Sequence, residues 1–350
     1  MLRSVDEVVA EGIRAGGLEA TELSVFGTAD PARITGIIGR FCQVHLGETP
    51  QGARFYASSV GCVIGLGLES GLDVVMKAYQ PRWRRPFLEA VQQAQRCAAS
   101  GGVPCPSPLL APVPVVEGDH TFAVVESWVP DPGMRALGSE AALRVSAVGL
   151  ARLISCCRAL EHPDALMDHP MRTSPAGLYG EPHSPVFDFE RSSAGAEWID
   201  DVARRAADIR DRVGTRLVAS HTDWSARNVR YDEERLLAVY DWDSMALVEE
   251  STAVGQAAMT WRVTSEPGGT DFPTSDEVFS YVAAYEDAAG RHFSAGERRA
   301  ASAAAAYLLA YTSRCEHALE YAGIERSDPG TPSAARDRLA EASDQLLDTD

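Results

Sequence analysis

The chain has 350 residues, with 32 basic against 50 acidic side chains and so a formal net charge of −18; 45% of residues are hydrophobic and 23% charged. These proportions describe a soluble globular protein with room for two domains and a core that needs no disulfide or metal staple. The excess of acid argues against a duplex-DNA binder, whose affinity comes from Lys and Arg neutralising phosphates, and suits a cationic small molecule; no nucleic-acid partner is expected.

Residues 1–18 mix acidic, basic and Gly residues and lack the apolar run of a signal peptide, so the chain is expected in the cytoplasm. The longest apolar stretch, 300–311, is mostly Ala and falls short of the roughly 20 residues that a bilayer demands, so no membrane span is expected. Residues 54–79 read as an antiparallel meander: RFYASSV, GCVIGLGLES and GLDVVMKAY are strand-like runs separated by Gly and Ser turns. The third run carries Lys77, the only lysine in the chain. Pro86 opens a helix of good formers that ends at Gly101 and Gly102. The Pro-rich stretch 103–114 is extended, and 121–128 (TFAVVESW) reads as a further strand that stops at the turn VPDPG. That turn marks a boundary near residue 130, giving an N-terminal domain of 1–127 and a C-terminal domain of 128–350.

Beyond it the periodicity is helical over 140–160, 194–212, 275–290 and 297–323, interrupted by short strand-like runs within 217–243. The seven cysteines (Cys42, Cys62, Cys97, Cys105, Cys156, Cys157 and Cys315) contain no CxxC pair and read as reduced, mostly buried thiols. Residues 229–231 and 236–240 form a predicted hairpin whose open end brings Asn228 and Asp241 together. An amide oxygen and a carboxylate side by side, completed by substrate phosphates, are how proteins hold Mg2+. Asp223, five residues before Asn228, can face the same point and act as a general base. Any one of these residues alone reads as loop chemistry satisfying local backbone groups; the joint spacing is what points to a site.

On these residues the chain resembles the protein-kinase-like superfamily, and within it the aminoglycoside phosphotransferase family of small-molecule kinases. HTDWSARN (221–228) is similar to that family's HGDxxxxN loop, YDWD (240–243) to its IDWD metal motif, VVMKAY (74–79) to the strand carrying the nucleotide lysine, and FAVVESWVP (122–130) to the link between lobes. The resemblance implies an α+β, two-lobe fold, with an antiparallel-sheet N-lobe bearing one main helix and a mostly helical C-lobe. It implies a kinase that uses ATP or GTP with Mg2+. Asp223 would take or orient the proton of the substrate hydroxyl, and Asn228 and Asp241 would hold Mg2+. Asp243 is either an outer metal contact or a turn-stabilising acid. Lys77 would pair with the α- and β-phosphates, steadied by Glu89 from the helix, and His221 would brace the loop. The main chain of Glu126 and Trp128 would take the adenine. The turn SSVG, with Ser58 and Ser59, stands where a GxGxxG loop would cover the phosphates.

No APE-closed activation segment follows Asp241, so the resemblance implies a small-molecule hydroxyl substrate instead of a protein. Acids at Glu249, Glu250, Glu266, Asp271, Asp276, Glu277, Glu316 and Glu320 are candidates to line a polyamine site, and an aminoglycoside-type antibiotic is the leading substrate class. The alternatives are a metabolite kinase acting on an amino alcohol, sugar or amino acid, and a kinase-fold protein that binds without turnover.

Overall fold

The computed structural model describes residues 2–16, 19–116, 118, 120–133, 138–169, 177–180, 182, 187–214, 216–264, 271–323 and 334–348. The chain divides into two compact units, Met1–Arg96 with Cys105–Pro130, and Cys97–Pro104 with Asp131–Asp350.

In the first unit, helices α1 (Val5–Gly16), α2 (Ala20–Phe26) and α3 (Pro31–His45) precede any strand. The sequence reading did not anticipate them, although α3 carries ordinary signals. Asp30 caps it by accepting from the Arg33 N–H at 2.8 Å, Pro31 sits in its first turn, and Ile34, Ile37, Ile38 and Phe41 recur at i, i+3, i+4 and i+7. The meander follows as β1 (Pro50–Ser58), β2 (Gly61–Leu68) and β3 (Asp73–Tyr79), then α4 (Arg85–Ser100), β4 (Pro108–Pro114) and β5 (Phe122–Ser127). Among the described residues these strands make one antiparallel sheet in the order β1-β2-β3-β5-β4. The Pro-rich β4 lies at an edge, where missing N–H donors on the outer side cost the ladder nothing.

Alternation then sorts the two faces. Ile64, Leu66, Val74, Met76 and Val125 join Val9, Ile34 and Ile38 of the helices in one buried core. The pairings Val63↔Lys77, Lys77↔Val124 and Val75↔Glu126 put the lysine and Glu126 together on the opposite face. Gly65 is required there, since a Cβ would come within 2.6 Å of the Phe55 ring and 3.2 Å of the Trp128 ring.

The second unit is mostly helical, as its periodicity predicts. α5 (Glu140–Cys157) and α6 (Glu197–Asp211) precede β6 (Leu217–His221), β7 (Val229–Tyr231), β8 (Leu236–Val239) and β9 (Met245–Glu249). Next come α7 (Glu250–Thr260), α8 (Ser275–Ala289), α9 (Ala295–Tyr321) and α10 (Ala334–Leu347). The expected β7–β8 hairpin forms, its turn closed by Asp232, whose Oδ1 accepts from the N–H groups of Glu234 and Arg235 at 2.8 Å each. β9 is an addition: it pairs antiparallel with β6 from Leu217↔Glu249 to His221↔Met245. The Ala-rich run belongs to α9, whose small residues let α7 approach so closely that a Cβ at Gly255 would lie 1.9 Å from the Ala301 carbonyl oxygen. Among the described residues no helix is long and apolar enough to cross a membrane.

Candidate active site

The residues singled out by sequence fall into two groups, one in each unit. In the first, Lys77 projects from the middle of β3 with its side chain 8% exposed, and the carboxylate beside it is that of Glu126, with Nζ to Oε1 at 3.5 Å. A buried ammonium is tolerated only with such a partner. Glu89 does not fill that place: it is exposed on α4 and accepts from Arg85 Nε at 2.8 Å, an i,i+4 pair along the helix surface. The inward face of α4 carries the buried amides of Gln92 and Gln95 instead.

Main-chain groups at Glu126 and Trp128, expected to take the adenine, turn toward β3. The Ser127 N–H donates to the Ser107 carbonyl at 2.9 Å, so antiparallel alternation turns the main-chain groups of Glu126 toward Val75 of β3. The Trp128 N–H donates to the Asp73 carbonyl at 3.2 Å, and its ring lies under the Arg54 guanidinium, 5.5 Å away. Ser58 ends β1 and Ser59 opens the β1–β2 turn. It is pinned at its carbonyls: Ser59 O accepts from Thr21 Oγ1 at 2.8 Å and Val60 O from Gln80 Nε2 at 2.9 Å. The Ser59 N–H donates to Gly61 O at 3.0 Å, which makes the turn tighter than a glycine-rich phosphate loop.

The second group is built on the ends of β6, β7 and β8. Asp223 is held by its own loop: Asn228 Nδ2 donates to Asp223 Oδ2 at 2.8 Å and to its carbonyl at 3.1 Å, and Ser225 Oγ donates to Oδ1 at 3.0 Å. Arg227 adds a guanidinium 3.6 Å from Oδ1. Asn228 is anchored in turn, its carbonyl accepting from the Tyr240 N–H at 2.8 Å, which sets Asp241 at the open end of the hairpin. Asp241 is the only non-glycine with positive φ among the described residues (φ 55°, ψ 49°), a conformation that Asp adopts more readily than most residues and that tends to cluster at functional sites. Its Oδ2 accepts from Ser244 Oγ at 3.2 Å. Asp243 is buried in the short 3₁₀ turn that follows, Trp242–Ser244.

His221 is buried at the end of β6, where its Nε2–H donates to the Tyr240 carbonyl at 2.9 Å and its ring meets Trp224 and Trp242 edge-on. The imidazole therefore ties the loop to the residue before Asp241. Trp224, which the sequence reading passed over, staples the loop to the helices. Its Nε1–H donates to Ser146 Oγ at 3.1 Å, and its carbonyl accepts from Thr260 Oγ1 at 3.2 Å. Ser225 and Arg227 were also missed, although their offsets of two and four from Asp223 lay within the motif.

The residues fit a hard divalent cation on chemical grounds. With Nδ2 of Asn228 spent on Asp223, its remaining polar side-chain atom is an amide oxygen, next to a carboxylate on the paired strand end. Among the described residues no group of three or more His, Cys, Asp or Glu could hold a metal by itself.

The acids proposed for a polyamine wall are largely engaged. Glu250 is buried between Arg216 at 2.7 Å and Arg291 at 3.3 Å, and Tyr285 donates to it at 2.7 Å. Asp271 and Glu277 hold Arg262, and Glu277 also closes a capping box on α8. Glu316 accepts from the first N–H groups of α10, and Glu320 pairs with Arg336 at 2.7 Å. Asp276 lies in the first turn of α8 and Glu249 ends β9, while Glu266 lies outside the described residues.

The chain matches no protein-family model and no curated protein. It does share its fold with solved structures. Amicoumacin kinase hAmiN in complex with AMP-PNP, Ca2+ and Ami superposes with a TM-score of 0.56 at 9% identity, over 85% of this chain and 88% of that one. Spectinomycin phosphotransferase APH(9)-Ia, in complex with ADP and spectinomycin, gives 0.53 at 12% identity over 89% and 96%. A thermostable mutant of aminoglycoside phosphotransferase APH(4)-Ia, in ternary complex with AMP-PNP and hygromycin B, gives 0.50 at 14% identity over 89% and 98%. What is common at such identities is the fold.

Proposed function

We propose that this chain, folded as the kinase-like small-molecule phosphotransferases are, transfers the γ-phosphoryl group of ATP or GTP to a hydroxyl of a small molecule. The observation that carries the reading is the loop 221–228. An aspartate is held in one orientation by an amide and a hydroxyl, and the carbonyl of that same asparagine accepts from Tyr240, the residue before Asp241.

Asp223 accepts the proton of the substrate hydroxyl as that oxygen attacks the γ-phosphorus and the bond to the β,γ-bridging oxygen breaks, leaving the nucleoside diphosphate. Ser225 and Asn228 keep the carboxylate from turning away, so the base is oriented before substrate arrives. Asn228 and Asp241 would hold a divalent cation, Mg2+ in the expected case, which would supply neutralising charge to the phosphates. Asp243 is the candidate outer contact. Lys77 supplies positive charge to the α- and β-phosphates. Arg227, beside Asp223, would meet the transferring group.

An aminoglycoside-type antibiotic stays the leading acceptor, on the acid excess of the chain and on the antibiotic complexes of the three fold relatives. The engaged acids weaken the case for a dedicated polycation wall, and a polar metabolite is the second reading. Coupled detection of diphosphate release, across a panel of hydroxyl-bearing antibiotics, amino alcohols, sugars and amino acids, tests both. Stimulation by one class names the acceptor; nucleotide binding with no stimulation by any compound would make the chain a binding module.

A further inference from the structure

We infer that Glu126 on β5, and not an acid on α4, is the carboxylate that positions Lys77, with Gln95 as the amide that holds Glu126 in place. The inference rests on the phosphotransferase reading for what Lys77 does, but the arrangement itself stands on contacts within the first unit.

Lys77 and Glu126 are diagonal neighbours on one face of the sheet: Val124 lies across from Lys77, and Glu126 is two residues farther along the same strand. Both side chains are more than nine-tenths buried, at 8% and 9% exposure, with Nζ 3.5 Å from Oε1. The other oxygen, Oε2, accepts from Gln95 Nε2 at 3.2 Å, and the same amide nitrogen donates to the Pro106 carbonyl at 2.7 Å. Gln92 is committed likewise to the Leu110 carbonyl at 2.7 Å. The helix face that enters the interior therefore carries amides, and the only acid of α4, Glu89, lies outside it on Arg85. The half-buried Cys105 thiol lies near the same carboxylate, and burial first, then the charge of Glu126, push it up to about 12.

The consequence is mechanical. In protein kinases the lysine meets an acid on a mobile helix, so helix position controls activity. Here lysine and acid come from adjacent strands, and their separation is set by sheet register. A shift of α4 can loosen Gln95, but the register of β3 and β5 keeps Lys77 and Glu126 on the same face of the sheet.

Because Lys77 is the only lysine in the sequence, lysine labelled with 13C gives a single side-chain signal in the intact chain, and its titration can be followed by NMR without regard to turnover. Removing an opposite charge from a buried ammonium lowers its pKa, by about 1–3 units for a partner at this range. Glu126→Gln is therefore expected to move the titration down by that amount and to weaken Mg2+-nucleotide binding about tenfold or more. The exchange Glu126→Gln with Gln95→Glu returns a carboxylate to the same cluster from the helix side but sets it against the Pro106 carbonyl, so it is expected to restore the titration only in part. Should Glu126→Gln not fold, Glu126→Asp shortens the reach by one methylene and is expected to give a smaller shift of the same sign. An unmoved titration in Glu126→Gln, or an equal shift produced by Glu89→Gln, overturns the inference. A wild-type chain that binds no nucleotide, while Lys77 still responds to Glu126→Gln, sinks the phosphotransferase reading and leaves the pair standing.

Discussion

Lys77 and Asp223 sit in opposite surroundings. The lysine is buried in the middle of a sheet, beside a carboxylate 49 residues away in sequence that itself leans on a glutamine of a helix. The aspartate is 39% exposed and is held by residues two and five positions further along its own loop. A charge in a dry site is controlled by what it is paired with, since desolvation penalises it otherwise. A charge at a wet loop is controlled by geometry, since water screens its Coulomb energy but not its orientation. The lysine group is thus governed by its ion partner and the aspartate group by the hydrogen bonds of its loop.

The largest expected effect would sharpen that contrast. Asp223→Ala removes the oriented base, so turnover should fall by about 10²–10⁴-fold while nucleotide affinity stays within about twofold; steady-state kinetics beside calorimetric titration of nucleotide checks it. Turnover near the wild-type rate would break the assignment of Asp223. Asp241→Asn should do the reverse: Asn accepts the same left-handed backbone and can still accept from Ser244, so stability should hold while Mg2+-dependent nucleotide affinity drops about tenfold or more. A Mg2+ titration of binding that is the same in both proteins would remove Asp241 from the metal.

Packing supplies the next test. Gly255→Ala drives a methyl into the Ala301 carbonyl on α9, and overpacking of this kind costs about 1–3 kcal/mol, read as a lower thermal midpoint. The smallest effect concerns Asp131, whose carboxyl the hydrogen-bonded Arg230 guanidinium holds below its usual range. A carboxyl depressed in the folded state adds stability above its unfolded value, near 3.8, and loses it as pH falls through the folded one. More than half of the Asp131 side chain is exposed, so Asp131→Asn should cost less than about 1 kcal/mol at pH 7, and the difference should vanish in acid. Denaturant melts at pH 7 and pH 3 report it.

The motif of the second group was legible because its contacts are local. Asp223, Ser225 and Asn228 meet within a single loop, and Asn228 meets the residue before Asp241 across a hairpin whose turn residues announce it. The strands around Lys77 were legible for the same reason, by alternation and by Gly and Ser turns. Glu89 was assigned to Lys77 because it is the only acid on the helix, yet helix phase, with Leu88, Gln92 and Gln95 inward, leaves it outside. Of the three leading helices α3 was readable, from Asp30, Pro31 and its apolar repeat, but nothing short-range tells which sheet face it covers.

By itself the sequence determined most of the strands and helices, that Asp223, Asn228 and Asp241 share one hairpin end, and that one lysine lies on the third strand. Each follows from steric preferences and spacings that act within a few residues. Only the tertiary structure decided that Glu126 stands beside Lys77, that Trp224 staples the loop through Ser146, and that most of the candidate acids are engaged by arginines, by Tyr285 or by helix N-termini. Those choices depend on which buried charge finds which partner once water is gone, and that is settled by register and packing between segments distant in the chain.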